Sequence, residues 1–177
     1  MVRRLLPLLL AAAALAALPK PASAQIYFDS YGSDSLAYSP GSFSYTFTPK
    51  PPRATHDSRI DPHLVKAAHI AEANAFAHST MRCWRYVKQA LLQAGAVSGY
   101  PATNYACQAG QELTSRYGFV RLRIYDPYRA PVGSVLVYQD GGGAGHVEIR
   151  TEHGFASDYR SPWRCKYRLI GVYAKLA

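Results

Sequence analysis

"STMRCWRYVKQALLQAG", residues 79–95, places a cysteine inside the first turn of an amphipathic helix, and the reading of this stretch decides the rest of the chain. Ser79 or Thr80 offers an N-cap hydroxyl, and Gly95 stands where a left-handed glycine ends a helix. Between them Cys83, Val87, Ala90 and Ala94 share a face, with Trp84 and Leu91 beside it. With Thr80 as cap, Cys83 takes the N3 position, where unpaired backbone N–H groups and the helix dipole favour negative charge. The thiolate is the nucleophilic form of cysteine, and a helix N-terminus is one of the settings that favours it. Arg82 and Arg85 add positive potential. The same segment also fits a buried small hydrophobe or half of a disulfide, since cysteine is among the most buried residue types.

Working outward, Asp61-Pro62 supplies an N-cap and a first helical position, opening a helix through "PHLVKAAHIAEANAFA", residues 62–77. A third helix is predicted over roughly Tyr105 to Arg116, after Asn104 and before Gly118. Beyond it the period changes to two. "FVRLRIY", "GSVLVYQ", "HVEIRT", "GFASDY" and "YRLIGVYAKL" read as strands separated by turn residues. Helices followed by a run of short strands predict an α+β fold, with the N-terminal helices packed on an antiparallel sheet.

The N-terminus reads as an export signal. Arg3 and Arg4 precede an almost unbroken Leu/Ala run from Leu5 to Leu18, and Ala22-Ser23-Ala24 forms a small-x-small cleavage site. The run is short of the roughly 20 residues that span a bilayer. Residues 1–24 are therefore expected to be a signal peptide, which sends the chain to the periplasm or outside the cell and leaves no transmembrane segment after cleavage. Its loss leaves 153 residues and lowers the formal charge from +9 to +6, because the leader carries Arg3, Arg4 and Lys20 and no acid. A basic exported protein points to an anionic neighbour such as a cell wall, a membrane surface or nucleic acid. Nucleic acid is disfavoured, because the basic residues are scattered and no binding motif is present. Residues 25–59, rich in Tyr, Ser, Gly and Pro, show neither period and read as a flexible lead-in. Residues 60–177 make the expected domain, and a monomer is the expected state.

A nucleophilic cysteine needs a base. His56 lies in the lead-in, His63 and His69 read as helix surface residues, and His153 sits in the turn "TEHG". His78 is close to Cys83 in sequence. His146 differs from these, because it opens the strand "HVEIR" directly after "DGGGAG". That glycine run is a hairpin loop in its plain reading, and in its functional one a gap where a substrate backbone can approach. No Lys-Ser/Thr or helix follows it, so it is no phosphate cradle.

A third group should orient the imidazole. Asp158 lies twelve positions after His146, across a turn near Glu152 to Gly154. An odd-length loop puts the two on one face of the hairpin, and a five-residue loop places them opposite each other. Glu148, also on the His146 side of its strand, is the competitor for this role. Asp158 equally fits a strand-end residue making local hydrogen bonds. The cysteines lack the paired short spacings of a zinc site, so neither metal nor cofactor is expected.

Cys83 at a helix start, then "APVGSVLVY", then "GHVEI", resembles the NlpC/P60 and CHAP group of papain-like cysteine peptidases and amidases. "CWRYV" is similar to the "CTWYV" around the CHAP nucleophile. The resemblance runs from about Met81 to the C-terminus and departs from the family's "PGD" segment at Pro131-Val132-Gly133-Ser134. NlpC/P60 members usually carry His as the third residue and CHAP members Glu or Asn, whereas Asp158 stands at the corresponding spacing here. The resemblance implies a papain-like domain that hydrolyses amide bonds of peptidoglycan or its peptide fragments through Cys83, His146 and Asp158. An oxidising compartment then makes Cys107–Cys165 the one pairing that frees Cys83. Two rival readings use the same residues. A transglutaminase-like acyl transferase shares the Cys, His, Asp chain order, although Val147 and Glu148 stand where it would carry an aromatic. A wall-binding or protein-binding module would hold Cys83 in a disulfide.

Overall fold

Local capping sets the limits of the helices. In the computed structural model, which describes residues 51–177, α1 runs Pro62–Asn74 with the Asp61 side chain accepting from the His63 N–H at 2.9 Å. It ends short of Ala77, because Ala75 is extended and Phe76 leaves to bridge Tyr159. α2 runs Cys83–Ala94 and closes on Gly95 at φ 80, whose N–H reaches the Leu91 and Leu92 carbonyls. α3 runs Ala109–Tyr117 and closes on Gly118 at φ 74. The turn before it, Ala106–Gln108, is 3₁₀ rather than the α-helical start expected from Tyr105.

The expected signal peptide and the lead-in through residue 50 lie outside the described residues. The remainder of that lead-in runs along the domain. The Thr55 carbonyl accepts from the Val132 N–H at 3.0 Å, and the Pro52 carbonyl accepts from the buried Arg150 guanidinium at 2.9 Å.

The strands are β1 (Val120–Leu122), β2 (Val135–Gln139), β3 (His146–Arg150), β4 (Phe155–Ala156), β5 (Arg160–Ser161) and β6 (Arg168–Ala174). They form one antiparallel sheet in the order β1-β6-β2-β3-β4-β5. The α+β class read from the sequence is the observed one. "GFASDY" holds only the short strand β4 and then turns at Ser157–Tyr159, where the Ser157 N–H reaches back to the Tyr159 carbonyl at 2.9 Å, before β5 begins at Arg160.

Each face of the sheet has its own cover. Val135, Val137, Val147 and Ile149 point to the helices and join Leu64, Val87, Leu91 and Leu113 in the main core. Leu136, Tyr138, Phe155 and Val172 point the other way, into a second cluster with Ala130, Ile124 and Tyr128. Burial on both faces explains why "VLVY" in β2 is apolar throughout rather than alternating. Full burial of residues such as Val87 and Leu91 stabilises the α2–sheet contact by about 1.5–3 kcal/mol each. α1 lies hard against the turn before β2: a Cβ on Gly133, at φ +90, would sit 2.7 Å from the Leu64 carbonyl carbon.

Candidate active site

Cys83 is the first residue of α2, with Arg82 as an N-cap that makes no side-chain cap bond. The expected N3 placement under a Thr80 cap is therefore not the one adopted, for two reasons. Met81 takes φ 60, a left-handed backbone through which a right-handed helix cannot run. Thr80, for its part, is drawn to Asp158. Asp158 Oδ2 accepts from Ser79 Oγ at 3.1 Å, from the Thr80 N–H, from Thr80 Oγ1 at 3.0 Å and from the Arg82 N–H at 3.2 Å. The side chain that caps the approach to α2 thus comes from the β4–β5 connection. Burial works to raise the Asp158 carboxyl pKa, but these donors outweigh it and hold the pKa below the ordinary carboxylate value. Deeper in α2, Trp84 anchors the first turn through Nε1 to the Thr103 carbonyl at 3.1 Å.

His146 opens β3 and is 8 % exposed. The residue before it must be glycine: Gly145 has φ +73, and a Cβ there would fall 2.4 Å from the Tyr138 carbonyl oxygen and 2.9 Å from Cys107 Cβ. The space left by that missing side chain is filled from within the chain, by Cys107, rather than left open to a substrate. The Cys107 N–H also donates to the Ala144 carbonyl at 3.0 Å, and the Gly145 N–H to Asp140 Oδ1 at 3.2 Å. The glycine loop is a hairpin loop pinned at both sides.

His146 Nε2 lies 3.2 Å from Glu148 Oε2, and Cys83 is near enough to the ring to act on its protonation. With Nε2 engaged by the carboxylate, Nδ1 is the nitrogen left for sulfur. Burial pushes the imidazole pKa down, but the hydrogen bonds to Cys83 and Glu148 and their charges prevail, raising it from 6.5 to about 10. Glu148 is 2 % exposed and held on its other oxygen. Oε1 accepts from Tyr138 Oη at 2.7 Å and from the Cys165 N–H at 3.4 Å.

The sequence expectation for Asp158 turned on loop length. Arg150 pairs with Phe155 and Ile149 with Ala156, so the connection is the four residues Thr151–Gly154. An even loop does not place Asp158 on the His146 side, and the strand ends at Ala156 before Asp158 is reached. The Tyr159 ring is 6.1 Å from the imidazole. The carboxylate within reach of the imidazole is therefore Glu148, and Asp158 sits on the loop before Cys83. The other five histidines are exposed. Of these, His153 bonds Glu72 and His56 bonds Glu152, each at 3.1 Å.

Cys83, Cys107 and Cys165 are all free and half-buried, so the expected Cys107–Cys165 bridge is absent. Cys107 is committed to the loop before His146 and Cys165 to the far side of Glu148. Burial raises the Cys165 thiol pKa to about 11. Among the described residues no group of three or more His, Cys, Asp or Glu is placed to hold a metal ion. No helix among them is long and apolar enough to cross a membrane.

Fold and site together define an α+β domain in which a helix-borne cysteine meets a strand-borne histidine backed by a buried carboxylate. No protein-family model and no curated protein matches the chain. Among solved structures it is similar to a chain of the type VI native effector–immunity complex Tae3–Tai3 from Ralstonia pickettii. There the TM-score is 0.52 at 24% identity, covering 63% of this chain and 98% of that one. A selenomethionine form of the same complex gives 0.49 at 27% identity, with 62% and 99% covered. The first likeness establishes a shared fold.

Proposed function

We propose that the chain is an exported cysteine hydrolase of papain-like type that cleaves amide bonds in peptidoglycan. The observation that carries this reading is Cys83 at a helix start, beside a buried imidazole whose Nε2 lies 3.2 Å from Glu148. The sequence resemblance to NlpC/P60 and CHAP enzymes supports the substrate class, and the leader supports an address in the periplasm or outside the cell.

His146 takes the proton from Cys83 Sγ, and its raised pKa favours the imidazolium that results. The thiolate attacks the scissile carbonyl carbon, and the Cys83 backbone N–H, which has no partner within the helix, faces the developing oxyanion. Collapse breaks the C–N bond while the imidazolium protonates the leaving amine. Water, deprotonated by His146, then attacks the thioester, releases the carboxylic acid and restores the thiol. Glu148 holds the ring in the orientation this needs. Asp158 acts on the loop that delivers Cys83 rather than on the imidazole.

Incubating the reduced full chain with purified peptidoglycan and with soluble stem-peptide fragments tests the proposal. Mass spectrometry should find one new amine and one new carboxyl group per cut, and Cys83→Ala should yield none. An added amine that is incorporated in place of water would instead identify an acyl transferase. Binding without cleavage by the wild-type chain would leave a binding module.

A further inference from the structure

The Glu148 carboxylate that holds His146 is itself held, by a buried phenol that the proposed mechanism does not use. Tyr138 is fully buried on β2, directly opposite His146 in the β2–β3 register, and its hydroxyl donates to Glu148 Oε1 at 2.7 Å. Glu148 stands opposite Leu136, so Tyr138 reaches it diagonally across the same sheet face. The second cluster, with Leu136, Phe155 and Val172, encloses the pair from solvent. A carboxylate at this depth can rotate about its last bond unless both oxygens are engaged. The His146 contact fixes only Oε2, whereas the Tyr138 contact, assisted by the Cys165 N–H, fixes Oε1.

We propose that Tyr138 is a positioning residue of the site, the outer member of the chain Cys83–His146–Glu148–Tyr138, whose three residues beyond the thiol are buried. Its hydroxyl aims the Glu148 carboxylate at His146 Nε2 and thereby sets how strongly the imidazolium is held. The inference rests on the hydrolase reading only for its kinetic consequences, because the His146–Glu148–Tyr138 hydrogen bonds exist without a substrate. Burial, and then the Glu148 charge, push the phenol pKa well up, so Tyr138 remains a donor throughout the working range. The other ionisable groups facing this chain are Tyr159 beside the imidazole ring, Cys165 next to Glu148, and Arg164, whose charge is felt at Tyr138.

Tyr138→Phe keeps the ring and removes the donor. In the full chain it should lower kcat on peptidoglycan fragments about tenfold with little change in KM. It should also move the alkaline limb of kcat/KM to lower pH. The same link is read without catalysis by following the His146 imidazole by NMR in Cys83→Ala, with and without Tyr138→Phe. The added substitution should lower the titration midpoint, and this outcome stands even if peptidoglycan proves not to be the substrate. An unchanged midpoint in the folded double variant overturns the proposal. If the Phe variant does not fold, the unmodified chain decides. The Tyr138 hydroxyl proton should give a slowly exchanging resonance that shifts as His146 titrates, and a resonance indifferent to that titration overturns the proposal equally.

Discussion

Cys83 is mounted from far along the chain, by a carboxylate 76 to 79 positions downstream of the residues it binds. His146 is mounted within one hairpin, by Glu148 two positions away and by Tyr138 ten positions from Glu148. The two halves of the site therefore answer to different physics. His146 depends on the register of β2 against β3, two strands joined by the short connection 140–145. The nucleophile depends on tertiary closure, because the segment before α2 has no cap of its own and contains a positive-φ methionine. Damage to the hairpin should appear in the pH behaviour of the proposed activity, and damage to the long-range clamp in the stability of the fold.

The comparison is broken outright if neither half matters. Cys83→Ala and His146→Ala should each reduce kcat/KM on peptidoglycan fragments by about a thousandfold or more, as loss of a nucleophile or base does elsewhere. Steady-state kinetics on muropeptides check this. Loss from only one of the two would dissolve the pair.

Glu148→Gln sharpens the contrast next. It keeps the shape but removes the charge that helps hold the imidazolium, so kcat should fall about 10–100-fold. The pH profile carries the diagnostic sign. His146 is raised from 6.5 to about 10, so the protonated ring persists through neutrality and is lost as pH rises toward 10. The stability this contributes is present in full below the unfolded value and disappears across the same window. In Glu148→Gln the alkaline limb should move down toward 6.5, because burial then faces less opposition.

Asp158→Ala should act on the other side. It removes the acceptor that Ser79, Thr80 and Arg82 share at the approach to α2 and should cost about 1–2 kcal/mol, as loss of a helix cap does, read as a lower midpoint in urea unfolding. The folded fraction should keep the wild-type alkaline limb, which Glu148→Gln does not. Because the Asp158 pKa is depressed, its contribution is present above the ordinary aspartate value and is lost as pH falls through the lower folded one. The smallest effect should come from Met81→Gly. Met81 is 92 % exposed and at φ 60, so glycine relieves the backbone at no packing loss and should stabilise by about 0.5–1 kcal/mol.

These differences also explain what could be read before any coordinates. Asp61-Pro62, Gly95 and Gly118 are local signals, and the helices they bound are where those residues place them, within a turn. His146 was legible because a strand start after a glycine loop is a local pattern. Glu148 was legible only as one of two same-face acids. The choice between it and Asp158 turned on whether the β3–β4 loop holds four residues or five, which "TEHG" and its neighbours do not declare. Tyr138 gave no signal, since its approach to Glu148 depends on a register set across the connection 140–145. The Thr80 cap failed because its partner lies on another element altogether. The cysteine pairing failed because spacing says nothing about where Cys107 and Cys165 come to rest.

The Asp158 clamp has a consequence for the order of events during biogenesis. A polypeptide emerging N-terminus first presents Cys83 long before the residue that secures its backbone, and the β2–β3 hairpin bearing His146 is laid down in between. Contacts closing so large a loop form late in folding. On the proposed hydrolase reading, the emerging chain is chemically idle until its last quarter has docked. Latency of this kind is written into the distance between Arg82 and Asp158.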